Sequence, residues 1–370
     1  MLIHLQDEKF ECRFFDRFDE EARRFEDRLR SEPMLVESIP WPRISFWQGY
    51  RHLESLSKKF VVLQMARKDS NRTYQIAAIE EASRIPSFSA GSIPYWIPSI
   101  ETESRRDQAR LLEIMRGLCL EHTPFMSLRV HAYVPGDPAL EASEKILRES
   151  GFQACDRRFP ARTRIIDLRP SIEEVFSQFP SKIRTKLRIK KPEEIRVEEL
   201  KSRGQIPELQ AALSDSFRRS TDQRFVYDFE SLFRVLEKFP ESAAAFGFFL
   251  SDDWSSPQAF ISGVASAPLF EYTTAGSRSN ARLRQFPFNY VLLWRLVEAA
   301  KARAALVFDM GGITEGSPDD PLAGISDFKR RFPGFEVNIG REGLLKLRPA
   351  RCRLFSILQS LRGLFRGRSA

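Results

Sequence analysis

The chain has 370 residues, about right for two hydrophobic cores and too many for one. With 42% hydrophobic and 29% charged residues it has the make-up of a globular protein, and no run approaches the ~20 consecutive apolar residues that a membrane span needs. Four cysteines without paired spacing argue against a disulfide framework or a zinc ribbon, and four histidines fall in no Ser/His/Asp or HExxH pattern, which argues against hydrolase chemistry of those kinds; no metal site is expected.

The start, MLIHLQDEKF, carries acidic charges and no apolar segment of the secretory kind, so a cytoplasmic protein is expected. Asp16 to Arg30 reads as an amphipathic helix and Trp47 to Leu56 as a shorter one, followed by strands at Phe60 to Met65 and Thr73 to Ile79. A long helix is expected at Ser104 to His122. Cys119 and His122 stand three apart there, but no third ligand is near and LLEIMRGLCLEH has the spacing of a core-facing helix. A strand at Ser127 to Tyr133, a helix at Leu140 to Glu149 closed by Gly151, and a strand from Phe152 complete this half.

After a strand at Thr163 to Leu168 the same order begins again. Ile172 to Phe179 and Ile183 to Lys190 read as helices separated by Pro180, and Ile206 to Phe217 and Phe229 to Phe239 as amphipathic helices. Strands at Ala244 to Leu250, Gln258 to Val264 and Leu269 to Thr274 lead to a helix at Pro287 to Arg303. A strand at Ala304 to Phe308, a helix at Ile325 to Phe332 and a last strand follow. Residues 126 to 152 and 304 to 335 share the order apolar strand, Gly/Pro/Asp loop, helix, Gly-Phe, which marks a duplicated α/β unit. Only the second copy has the Gly-Gly pair and the lysine. One half carrying reactive groups and the other offering a substrate surface is a simple way to build a transferase.

That second copy, FDMGGITEGSPDDPLAGISDFKRRFPGF from Phe308 to Phe335, is the most distinctive stretch. Two readings stand for Asp309 and the glycines: a ligand site at the carbonyl end of a buried strand, or a strand-to-helix turn in which Asp309 bonds its own backbone. Upstream, GSRSNARLRQ places Arg278, Arg282 and Arg284 before a helix start, as a phosphate site or as a solvated basic loop. Residues 341 to 370 hold eight basic side chains against the single carboxylate Glu342, a net +7 of the total +8, which leaves +1 for the body. LFSILQSLRGLFRGR has the pattern of a basic amphipathic helix, lying on an anionic membrane surface through residues 351 to 370 or docked on the protein.

The run EYTTAGSRSNARLRQFPFNYVLLWRLVEAAKARAALVFDMGG, followed by GISDFKRRFPG, resembles the FemAB/FemX family, the aminoacyltransferases that build peptidoglycan cross-bridges. The carrying residues include Tyr272, Gly276, Pro287, Tyr290, Trp294, Lys301, Asp309, Gly311, Gly312, Phe328, Lys329, Phe332 and Gly334. The match covers about 270 to 335. It is weaker upstream, where SKIRTKLRIKKPEEIRVEE looks like the family's basic helix before its second domain.

The resemblance implies an α/β (α+β) fold of two tandem GNAT-like (acyl-CoA N-acyltransferase-like) domains with mixed sheets. The first domain, 1–165, would offer the acceptor surface, the second, 166–345, would carry the family motifs, and 346–370 would be the basic amphipathic helix. It implies an enzyme that moves an aminoacyl group from the acceptor end of aminoacyl-tRNA, with no other cofactor, to an amine of a UDP- or lipid-linked muropeptide or similar envelope precursor. Carried over, Lys329 would stabilise the oxyanion, Phe328 would shape the acceptor-end pocket and Arg224 would meet precursor phosphate. Tyr272, Tyr290, Gly311 and Gly312 would line the substrate, and on the helix-start reading of the loop, independent of the resemblance, Arg278 and Arg284 would meet phosphate. Asp309 would take the amine proton or orient the glycine turn, and the orienting role is favoured.

Met310 stands where the family usually has an aromatic, and the near-neutral body is less basic than a tRNA-gripping surface calls for. A GNAT-like acyl-CoA-dependent N-acyltransferase in exopolysaccharide or cell-envelope biosynthesis is therefore the alternative, although the Gln/Arg-x-x-Gly-x-Gly/Ala pyrophosphate loop is missing before both candidate helices. A non-catalytic envelope-assembly adaptor is the second alternative. The intact Asp-x-Gly-Gly and Phe-Lys elements argue against it.

Overall fold

The computed structural model of the protein describes residues 1–31, 33–83, 85–98, 102–188, 191–220, 227–314, 320 and 323–366. The chain forms two compact units: Met1–Glu32, Arg43–Phe159 and Gly340–Ala370 make the first, Pro33–Pro42 and Pro160–Ile339 the second. Residues 340–370, which the sequence pattern divides between a second domain and a separate tail, thus belong to the first unit.

The chain opens with an antiparallel pair, β1 (Leu2–Gln6) and β2 (Phe10–Phe15), that the pattern of apolar residues does not predict. Helix α1 (Glu20–Ser31) starts later than Asp16 because the Asp19 carboxylate accepts the Ala22 N–H at 2.8 Å and fixes the helix start there. A short hairpin, β3 (Met34–Val36) and β4 (Ile39–Trp41), belongs to the second unit. The predicted helix Trp47 to Leu56 shortens to α2 (Tyr50–Leu53). Then come β5 (Phe60–Arg67), β6 (Thr73–Ala82), β7 (Ser89–Trp96), α3 (Thr102–His122), β8 (Phe125–Pro135), α4 (Asp137–Glu149) and β9 (Gln153–Ala154). The sheet of this unit runs β1-β2-β5-β6-β7-β8, antiparallel except for the parallel pair β7 and β8. Leu111, Met115 and Cys119, at helical spacing on α3, pack with Leu63, Ile76, Ile93 and Val130 of the strands. Burial there pushes the Cys119 thiol up to about 12, which makes it core filling rather than a nucleophile.

The second unit continues with β10 (Arg162–Asp167), α5 (Ile172–Ser177), α6 (Ser181–Leu187), β11 (Ile195–Glu199), α7 (Ile206–Ser220), α8 (Phe229–Lys238), β12 (Ala243–Leu250), β13 (Ala259–Ser266), β14 (Leu269–Ser277), α9 (Phe288–Ala302), β15 (Val307–Gly312) and α10 (Ala323–Arg330). β16 (Phe335–Lys346) leads into α11 (Pro349–Arg366). The first residues of β16 pair with β10, and its Gly343 and Leu344 pair with β9. From β10 the sheet runs β10-β15-β14-β13-β12-β11, again antiparallel except for one parallel pair, β14 and β15. Strand, helix, parallel strand, helix, left-handed glycine is the order in both units: β7-α3-β8-α4 ends at Gly151 (φ 84°), β14-α9-β15-α10 at Gly334 (φ 116°). The duplication seen in the sequence is therefore a duplication of the parallel pair and its crossover helix.

Candidate functional site

The apolar residues before Asp309 do not all enter the strand. Ala304 (φ 58°) takes the left-handed position that ends α9, with its N–H on the Lys301 carbonyl at 3.0 Å, so β15 starts only at Val307. The strand also runs on through Gly312, so the glycines are its last residues and not a loop. On one side Ile165 of β10 pairs with Asp309 and Thr163 with Gly312. On the other, the parallel ladder to β14 stops at Glu271 and Asp309, although β14 continues to Ser277 paired with β13. The two parallel strands part at Asp309.

Lys329 of α10 enters that gap. The residue is 7% exposed, and its ammonium donates to the Gly312 carbonyl at 2.7 Å and lies 5.2 Å from the centre of the Tyr272 ring. Gly311 (φ 74°) makes the room, since a Cβ there would stand 3.2 Å from the Tyr272 ring and 3.5 Å from the ammonium. Burial pulls the Lys329 pKa down to about 8, against the opposing pull of the Asp309 carboxylate. Asp309 is itself buried; its Oδ1 accepts the Gly311 N–H at 2.7 Å and the Thr163 hydroxyl. That is the local bond to its own backbone expected of an Asp-x-Gly sequence, and Asp309 makes it beside a buried cation. Burial pushes the Tyr272 hydroxyl up to about 12, so the ring that faces the ammonium is neutral.

A pocket of about 310 Å³ opens on this point, lined by Tyr272, Gly276, Asn289, Met310, Phe328 and Lys329 among others. Phe328 stacks edge-on against Tyr290 (5.0 Å) and Phe332 (5.1 Å), which fixes the turn of α10 that carries Lys329. A second pocket, of about 600 Å³, lies at the start of α9, whose N-terminus no side chain caps. Its lining includes Lys186, Arg188, Lys191, Arg284 and Tyr290, and Asn289 again, so the two pockets meet at that residue. Lys191 is paired with Glu194 at 2.7 Å and Lys186 sits 4.5 Å from the Tyr290 ring centre. Arg188 and Arg284 face no carboxylate among the described residues.

The structure thus brings Lys329, Phe328, Asp309, Tyr272, Gly311 and Gly312 together, and joins Tyr290 and Arg284 to them through the second pocket. The other arginines of the loop are a correction. Arg282 does not face the helix start; it is held by Asp252 (3.1 Å), Glu194 (3.4 Å) and the Ser251 hydroxyl (2.6 Å). Arg278 lies 3.6 Å from Asp215 and lines neither pocket. Arg224 lies outside the described residues. Asn289, Lys186 and Arg188 are lining residues that sequence reasoning missed, although the basic run SKIRTKLRIKK that contains two of them is conspicuous.

No family model matches the chain, and no curated protein matches it in sequence. Solved structures do match. A crystal structure of FemX is similar with a TM-score of 0.69 and 12% identity, over 92% of this chain and 99% of that one. A tandem GNAT protein from the clavulanic acid biosynthesis pathway, solved without AcCoA, is similar with a TM-score of 0.51 and 11% identity, over 91% of this chain and 99% of that one. The chain has the FemX-like tandem GNAT fold.

Proposed function

We propose that this protein is an aminoacyltransferase that moves an aminoacyl group from aminoacyl-tRNA to an amine of a peptidoglycan or other cell-envelope precursor. The observation that carries the reading is the buried Lys329 ammonium, held between the Gly312 carbonyl and the Tyr272 ring where the parallel strands part. Aminolysis of an ester needs a neutral amine and a cation at the oxygen that becomes negative. The amine nitrogen bonds to the ester carbonyl carbon, the carbonyl oxygen takes up the electron pair beside Lys329, and the ribose oxygen then leaves and receives the proton lost by the amine. Phe328 shapes the end of the pocket that takes the aminoacyl group. The cations of the second pocket grip phosphates of the donor, and the meeting of the pockets at Asn289 suits a donor gripped at one end and reacting at the other.

Phosphates on an uncapped helix start suit an acyl-CoA donor as well, which is the second reading. Incubation with labelled aminoacyl-tRNA, labelled acetyl-CoA and UDP- or lipid-linked muropeptide separates them: label from the tRNA moves to the muropeptide, whereas movement from acetyl-CoA alone would overturn the first reading. With the true donor, reversing Arg188 and Arg284 to Glu raises KM about tenfold or more and leaves kcat nearly unchanged, because these groups bind phosphate equally before and during reaction.

The Asp309 carboxylate has the orienting role in this mechanism. Asp309→Asn retains a side-chain oxygen for the Gly311 N–H but removes the charge that holds the Lys329 pKa up. Activity persists, and its loss at high pH sets in at lower pH than in the parent. Abolition of activity at every pH would instead make Asp309 the base.

A further inference from the structure

The described side chains of helix α11 attach it to the first unit along one side. Phe355 packs on Phe88 with ring centres 5.4 Å apart, the Arg351 guanidinium lies 5.6 Å from the same ring, and the Cys352 thiol donates to the Met126 carbonyl at 3.2 Å. Away from these contacts Leu354, Ile357 and Leu361 are 50%, 57% and 45% exposed. Their spacing of three and four residues places them in one stripe along the helix. Exposed large apolar residues stand singly over most of the described surface, and this row departs from that pattern.

Along the sequence from 341 to 370 the charge is one-sided. Lys346 and Arg353 are exposed, and the sequence goes on with Arg362, Arg366 and Arg368 beside Leu364 and Phe365. The only acidic side chain from 341 to 370, Glu342, is buried in an ion pair with Arg129 at 2.8 Å. A second copy of the helix laid on this face would bring like charges together, since a two-fold contact places the same patch on both sides. A surface of anionic headgroups over acyl chains complements both features.

We propose that α11 lies in the interfacial plane of an anionic bilayer, with Leu354, Ile357 and Leu361 among the acyl chains and the basic side chains on lipid phosphate. This goes beyond the transferase reading and does not rest on it. The docked arrangement and the membrane arrangement are not exclusive: one side of the helix holds the protein, and the other holds the lipid.

The test is flotation of the full chain with phosphatidylglycerol-rich vesicles and with pure phosphatidylcholine vesicles, alongside light scattering of the free protein. The parent floats with the anionic vesicles and not with the neutral ones. The triple variant Leu354→Ser, Ile357→Ser, Leu361→Ser stays at the bottom with an unchanged melting temperature, since the three side chains are exposed. Arg353→Glu lowers binding at least about fivefold, the contribution of one basic residue near an anionic surface. Failure of the parent to float, equal flotation with neutral vesicles, or undiminished flotation of the triple variant each overturns the proposal. So does a dimer that the triple variant dissociates, which would assign the stripe to a second copy of the chain.

Discussion

Lys329→Met should lower the rate of transfer by about 10²–10³, the usual cost of removing one donor from an oxyanion site. The loss should fall on kcat and kcat/KM together, because the ammonium acts on charge that develops only in the reaction. The parent's pH profile carries a second signature. If the protonated lysine is the active form, activity falls as pH rises through about 8, well below the range of an exposed lysine, and the variant's residual activity lacks that limb. Unchanged turnover would remove Lys329 from the mechanism.

The same substitution should leave the fold nearly as stable, since two terms oppose. A lysine whose pKa falls from 10.5 to about 8 on folding binds its proton more weakly in the folded state. Below about pH 8 both states are protonated and the folded chain bears the full cost of the buried charge, roughly 3 kcal/mol. That cost is relieved as pH rises from 8 to 10.5. Methionine removes it but also deletes the hydrogen bond to the Gly312 carbonyl, worth about 2 kcal/mol for a charged donor. Urea midpoints at neutral pH check this, and a large loss of stability would make Lys329 a structural residue.

Gly334→Ala should destabilise the second unit by roughly 3–5 kcal/mol, combining an unfavourable left-handed conformation with a steric clash. A Cβ at Gly334 would stand 2.1 Å from the Ile165 carbonyl oxygen, which is backbone in a sheet and cannot step aside. The turn is pinned further by Arg164, whose guanidinium donates to the carbonyls of Phe332 and Gly334 at 2.8 and 2.9 Å. Because β16 begins at Phe335 opposite Ile165, any relief moves the segment that ends α10 and with it Lys329. Gly324→Ala is the control: nothing lies within 4 Å of a Cβ there, and a helical alanine is neutral or slightly stabilising. Equal denaturation midpoints for the two variants would refute the argument.

Much of the second unit was legible because its elements follow simple periods: α9 and α10 fall within a few residues of expectation, and the Gly-Phe pair marks the end of the copied unit in both halves. The missed strands have two physical causes. β7 contains a glycine and a proline and looks like a loop, yet a Cβ at Gly91 would come within 2.5 Å of Leu128, so tight packing requires the glycine. β1 and β11 are edge strands whose exposed charged or polar residues blur the alternation. The site failed differently. Arg282 looked available for phosphate because its partners Glu194 and Asp252 are distant in sequence, and nothing local announces them. The strand expected from Phe152 shrank to Gln153–Ala154, and the glycines after Asp309 turned out to be strand, because pairing with β10 continues past the last apolar residue.

Strand β16 starts in the second unit and finishes in the first, while the hairpin β3–β4 comes from early sequence and is held by the second. Neither unit is a continuous stretch of chain. A ribosome making this protein releases the last pieces of the first unit after the whole of the second, so the half that is translated first is completed last. Each half carries an insertion of the other, and a scissors cut at 159/160 would free neither.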